Sequence, residues 1–320
     1  MEIWESILDV TPIGVQNNFF DLGGHSLLAI RLFSRIEQVH GVKLALVSIF
    51  QAPTIEQLAS LIRQNQKAKA WSPIVPINTK GTKPPIFFIH SFGSGVYDYG
   101  ELTLLLGDTQ PVYAIQPRGL ESGDEPHHSI ADMALFYLDA IRTLQPTGPY
   151  LLGGYCFGGV VAFEMACRVE SMGEKVAFLA ILEGSAPIPF SIKWRWNYLM
   201  DFFANIPNWA VTFWNLGVKQ MWARLRRKTR VFGKQISRLS GKTVYYRLED
   251  IMDDVSLIEP RDRLLRETQV LALMNYEPSL YHGKITLFRV KSQPLFHLAG
   301  PSLGWEKLSS QAVDIHILDG

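Results

Sequence analysis

Apolar positions in the first 64 residues recur at helical spacing. Leu28, Leu32, Ile36 and Val39 form one stripe that stops at Gly41, a residue suited to cap a helix C-terminus. A further helix is expected at "PTIEQLASLI", where Thr54 and Gln57 stand at capping-box spacing ahead of Ile55, Leu58, Leu61 and Ile62. Between Asn65 and Pro76, "NQKAKAWSPIVP", the periodicity ends and polar residues and prolines take over. The pattern therefore predicts a small all-α domain over 1–66, a linker over 67–76 and a second domain over 77–320.

The second domain reads differently. Short apolar runs, "PIFFIH", "PVYAIQ", "YLLGGYC", "VAFLAILEG", "KITLFRV" and "AVDIHIL", are each bounded by glycine, proline or charge. Most do not alternate, as expected of strands covered on both faces, and helical patterns such as Ile130–Leu144 and Val160–Val169 lie between them. A parallel α/β sheet is expected. Residues from about 188 to 254 interrupt this alternation with a long aromatic and basic segment that suggests a helical lid. Five of the eight tryptophans fall between Trp194 and Trp222, and Lys219 to Arg247 holds ten basic and no acidic residues. An apolar stripe there would cover a pocket while the charges face water.

Composition narrows the picture. A 320-residue chain with 47% hydrophobic residues fills a large core, and a formal charge of +1 argues against a whole-protein nucleic-acid or membrane field. Neither partner is expected, and no metal-ligand spacing stands out. With two cysteines, Cys156 and Cys167, and no signal-like or membrane-length apolar run, a cytoplasmic location is expected.

Two motifs carry chemistry. "NNFFDLGGHSLLAI", Asn17 to Ile30, puts a glycine-containing turn before Ser26 at the start of a helix, where free N–H groups and the helix dipole favour a phosphodiester. This stretch, with the later "VSIFQAPTIEQLASLI", resembles the phosphopantetheine attachment site of peptidyl and acyl carrier proteins. The resemblance implies a four-helix bundle, 4'-phosphopantetheine carried on Ser26, and a phosphopantetheinyl transferase that installs it. Only "MEIWESIL" precedes the loop, so the first helix is expected to be cut short.

The second motif is "GGYCFGG", in which Cys156 follows a strand and opens a helix with glycines on either side, the context of a nucleophile elbow. Cysteine is partly ionised near neutral pH, and a helix N-terminus is expected to increase that fraction. Cys167, inside "FEMACRVE", reads as structural. With "FFIHSFGSG" upstream, residues 72–320 resemble the type I thioesterases that terminate nonribosomal peptide and polyketide assembly lines. The resemblance implies an α/β-hydrolase domain with a lid insertion. It implies an oxyanion hole from the backbone N–H groups of Phe92 and Phe157. It places the acid of a catalytic triad at Glu183, where the family usually has aspartate, and makes His90 a loop organiser. The family's histidine base follows the last strand, and this chain stops at "VDIHILDG". A domain truncated at its C-terminus, with an incomplete triad, is therefore expected; His316, His297 and His282 are weaker candidates for the base.

The resemblance as a whole implies a carrier–thioesterase didomain that accepts an acyl or peptidyl thioester from upstream synthetase domains. Transfer to Cys156 would precede hydrolysis or cyclisation. Two rivals remain open: a catalytically impaired module that only docks the carrier, and a free-standing hydrolase of diffusible esters.

Overall fold

The computed structural model describes residues 1–42, 44, 48–64, 71–93, 95–96, 99–119, 124–187, 226, 233, 248, 260–291 and 300–318. The expected lid over 188–254, apart from three isolated positions, lies outside these residues, as do His297 and residues 65–70 of the linker region. The chain divides into two compact units, Met1–Ile86 with Ser94–Gln116 and Phe87–Gly93 with Pro117–Gly320.

The first unit begins with helices α1 (Glu2–Leu8), α2 (Ser26–His40), α3 (Ser48–Gln51) and α4 (Ile55–Gln64). They share one apolar core in which Trp4, Phe19, Leu32, Ile36, Ile49 and Leu58 are buried. The α2 stripe accounts for its part: Leu32 and Ile36 are buried, whereas Val39 at its end is exposed. Gly41 ends α2 at φ 65°, and its N–H bonds the Glu37 carbonyl. At the start of α4, Thr54 Oγ1 accepts the Gln57 N–H at 3.2 Å, one half of the expected capping box.

The same unit holds strand β1 (Ile74–Asn78), helix α5 (Tyr99–Leu106) and strand β3 (Val112–Ile115). β1 pairs antiparallel with β3, which corrects the expectation of an all-parallel sheet. It also begins inside the expected linker, because Pro73 and Pro76 masked a five-residue strand in the sequence. An antiparallel strand at a sheet margin accepts proline where a central parallel strand does not.

The second unit carries strands β2 (Ile86–Ile89, from Phe87 on), β4 (Tyr150–Tyr155), β5 (Val176–Leu182), β6 (Thr286–Val290) and β7 (Asp314–Leu318). They stand in the order β2-β4-β5-β6-β7. The β4–β5, β5–β6 and β6–β7 pairs are parallel. Helices α6 (Ile130–Arg142), α7 (Phe157–Ser171) and α8 (Pro260–Met274) belong to this unit. All four β2 residues are buried, as the unbroken apolar run predicts, while Ile317 and Leu318 of the last strand are exposed. Ser129 caps α6 by accepting the Asp132 N–H.

Candidate active site

The ends of the parallel strands β4, β5 and β6 meet the loop after β2 in one cluster of backbone turns. At the end of β4 the chain reverses into α7 through Cys156, which adopts φ 52°, ψ −110°, a conformation rarely taken by a residue with a side chain. The glycines explain how the turn closes. A Cβ on Gly154 would lie 2.2 Å from the Gly158 backbone, and one on Gly158 would lie 2.3 Å from the Ile89 carbonyl oxygen and 2.5 Å from that of His90. Only glycine permits these approaches. The Cys156 N–H is held by the Leu182 carbonyl at 2.8 Å, which ties the elbow to β5.

The elbow exposes Cys156, and the sequence expected its thiol to ionise readily there. The balance runs the other way. Desolvation pushes the thiol pKa up and the Glu183 charge pushes it further, while a hydrogen bond from the Phe157 N–H at the helix start opposes both. The helix N-terminus acts in the expected direction and is outweighed. Cys167, half-buried in α7 beside Glu164 and Glu170, is pushed up to about 12, mainly by burial.

Glu183 follows β5 at φ 49°. Its N–H bonds the Phe288 carbonyl at 2.8 Å, and its Oε2 accepts the Val290 N–H at 2.6 Å, so the carboxylate is fixed against the end of β6. Gly184 packs on the elbow, a Cβ there lying 3.0 Å from the Cys156 carbonyl, and the buried Trp305 indole donates to the Gly184 carbonyl at 2.7 Å.

The loop after β2 brings Phe92 alongside, its ring 6.3 Å from that of Phe157. His90 is fully buried and organises this loop. Its Nδ1 lies 2.9 Å from the Ser91 carbonyl oxygen, which can only accept, so Nδ1 carries the proton and Nε2 accepts from the Tyr137 hydroxyl, also at 2.9 Å. Burial lowers the His90 pKa to about 4, so the ring is neutral at neutral pH. Two of the candidate bases, His282 and His316, have partners elsewhere. His282 Nδ1 lies 3.1 Å from Glu170, and His316 stacks on Phe288 at 4.9 Å beside Asp314.

Sequence reasoning missed Gln269 on α8, whose Oε1 accepts the Gly93 N–H at 2.7 Å. No motif marks it. Among the described residues no helix is long and apolar enough to cross a membrane, and no group of three or more His, Cys, Asp or Glu could hold a metal ion.

Parallel strands feeding a sharp elbow, with a carboxylate after the next strand, define an α/β-hydrolase domain, and here it follows a helical carrier. Residues 1–62 match the family model of the phosphopantetheine attachment site and residues 84–197 that of the thioesterase domain. The chain is a carrier–thioesterase didomain. It is similar to malpibaldin synthetase of Mortierella alpina, 34% identical over 320 aligned residues, 98% of this chain and 5% of that protein. It is also similar to a dimodular nonribosomal peptide synthase of Bacillus subtilis (strain 168), 38% identical over 182 residues, 57% of this chain and 8% of that protein. The chain thus spans 5% and 8% of the length of these relatives. Among solved structures, a holo four-domain nonribosomal peptide synthetase bound to AMP and glycine matches with a TM-score of 0.55 and 28% identity, covering 99% of this chain and 24% of that one.

The carrier family is the attachment site for 4'-phosphopantetheine. The local backbone fits that group. Ser26 opens the 15-residue α2, the preceding His25 makes no side-chain cap bond, and no acidic residue stands in the first turn. A helix start with neither feature suits a phosphodiester. Gly23 at φ +85° shapes the approach, and Gly24 packs so closely on Phe19 that a Cβ would lie 2.4 Å from its ring.

Proposed function

We propose that this chain takes an acyl or peptidyl group presented as a thioester on Ser26 and releases it through a covalent intermediate on Cys156. The domain limits proposed are 1–66 for the carrier and, because β1 starts at Ile74, 74–320 for the thioesterase. The observation that carries the reading is the elbow, with Cys156 at positive φ and the Phe157 N–H on its sulfur. The phosphopantetheine arm, held as a phosphodiester by Ser26, supplies the thioester. Everything after that is work for the residues of the second unit.

In the first step the Cys156 thiolate forms a new S–C bond at the acyl carbon. The electron pair of the carbonyl moves onto oxygen, where the backbone N–H groups of Phe92 and Phe157 would receive it; each such donor is worth about 10²–10³-fold in rate. Collapse breaks the C–S bond of the donor, and the departing thiolate takes a proton from water. Exchange of one thioester for another keeps the acyl group activated, which a serine ester would not. Water or an internal nucleophile of the acyl chain then attacks the acyl-Cys156, giving hydrolysis or cyclisation. Glu183, fixed by the Val290 N–H, is proposed as the acid that would orient a histidine base. Upstream synthetase modules and a phosphopantetheinyl transferase are the partners this reading requires.

A second reading, a docking module that does not turn over, is favoured by the raised Cys156 pKa and by the engagement of His90, His282 and His316 with other groups. One experiment separates the two. The chain is loaded on Ser26 with an octanoyl-pantetheine arm and followed by intact mass and peptide mapping. Passage of the octanoyl group to Cys156, lost in Cys156→Ala, supports the first reading. A loaded Ser26 that stays loaded equally long in both chains overturns it.

A further inference from the structure

We propose that Gln269 is a positioning residue for acyl transfer, holding the loop that presents the Phe92 N–H to the reacting carbonyl. The inference rests on the oxyanion role given above to Phe92 and Phe157.

The direction of the Phe92 N–H is set by two consecutive peptide units, and each is pinned by a buried side chain. The Ser91–Phe92 peptide is held by its carbonyl, which accepts from His90 Nδ1 at 2.9 Å. The next peptide, Phe92–Gly93, is held by its N–H, which donates to Gln269 Oε1 at 2.7 Å. A backbone N–H can only donate, so the Gln269 amide has one possible orientation, with its oxygen toward the loop. Gly93 turns the chain at φ +60°, and a Cβ there would lie 2.5 Å from Arg266 Cγ. Arg266 and Gln269 stand three residues apart on α8 and so are neighbours on one face. One helix therefore both covers Gly93 and fixes its peptide.

The chemistry of Gln269 argues against a packing role alone. The side chain is fully buried, and its Nε2 has no hydrogen-bond partner among the described residues. Buried amides normally satisfy both ends, and leaving one unsatisfied destabilises the fold. A methionine would fill the same length without that cost. What only the amide provides is an acceptor for the Gly93 N–H. The bond also joins α8 to the β2 loop across 176 residues of sequence, so the oxyanion loop depends on the helix that follows the segment expected to form the lid.

The test is the single-turnover acylation of Cys156 in the full chain by octanoyl-pantetheine, measured by mass over a concentration series. Gln269→Met removes the acceptor, and Gln269→Asn withdraws it by one methylene with less change in packing. In both, the saturating rate is expected to fall about 10- to 100-fold, since a displaced donor loses much of what a removed one would. The half-saturating concentration should stay within about twofold, because the oxyanion exists only in the transition state. Alkylation of Cys156 by iodoacetamide, which develops no oxyanion, should keep its parental rate and so report that the elbow is intact. Parental acylation in both variants, a rise in half-saturating concentration without loss of maximal rate, or unfolding of both would overturn the proposal. Failure of the underlying reading looks different: the parent chain would then gain octanoyl in Cys156→Ala as fast as with the cysteine present.

Discussion

Three influences meet on the Cys156 sulfur: loss of water and the Glu183 charge oppose ionisation, and the Phe157 N–H favours it. Glu183→Gln removes the like charge, so alkylation at pH 7.5 is expected to speed up by about 2- to 10-fold, with the apparent pKa of the reaction moving down. A pH–rate profile of iodoacetamide labelling checks both. In the parent chain Cys156 should label at least about tenfold faster than Cys167, whose thiol is pushed up to about 12, as peptide mapping after brief alkylation would show. His90 makes a separate prediction about stability. Its folded pKa of about 4 lies below the ordinary 6.5, so the unfolded chain takes up the proton first as pH falls. The stability of the neutral buried ring is complete above about pH 6.5 and lost as pH falls through 4, by on the order of 3 kcal/mol. Thermal melts between pH 7 and 4 should show this decline, and His90→Asn, less stable at pH 7, should flatten it.

At the scale of elements, the junction of β4 and α7 is held by backbone contacts more than by side chains. Gly158 lets the start of α7 approach the end of β2 so closely that an added methyl would meet two carbonyl oxygens at 2.3 Å and 2.5 Å. Neither oxygen belongs to a flexible side chain. Gly158→Ala is therefore expected to destabilise the unit by about 1–3 kcal/mol and to move the Phe157 N–H away from the sulfur. Thermal melts and Cys156 acylation would show both losses together. This junction was legible in the sequence because glycines on both sides of a strand-end cysteine have few other uses. β1 and α5 were not. The prolines around β1 suggest a linker, and Leu104 and Leu105 of α5 are exposed, so no buried stripe distinguishes that helix.

For the whole molecule, the proposed function divides the labour between two residues at helix starts: Ser26 opens α2 and Cys156 immediately precedes α7. A phosphopantetheinyl transferase with coenzyme A should add a single arm to this chain and none to Ser26→Ala, read as one mass increment. Modification persisting in that variant would remove the carrier assignment and leave the geometry of the second unit untouched. The relatives it resembles are many times longer than this chain, which spans 5% and 8% of their length.

The sequence by itself determined the elements whose signal is local. The α2 stripe with its glycine cap, the buried strands and the Gly-x-Cys-x-Gly turn all follow from periodicity and from conformations that only glycine allows. It also marked Ser26 and Cys156 by their position relative to those elements, while Glu183 was marked by the resemblance to the thioesterases. Tertiary structure alone decided the antiparallel pairing of β1, the net upward shift of the Cys156 pKa and the hold of Gln269 on Gly93. Each depends on groups distant in sequence meeting in the folded chain. Strand direction is set by the partner, thiol ionisation by summed burial and charge, and a hydrogen bond spanning 176 residues by the closure of the fold around it.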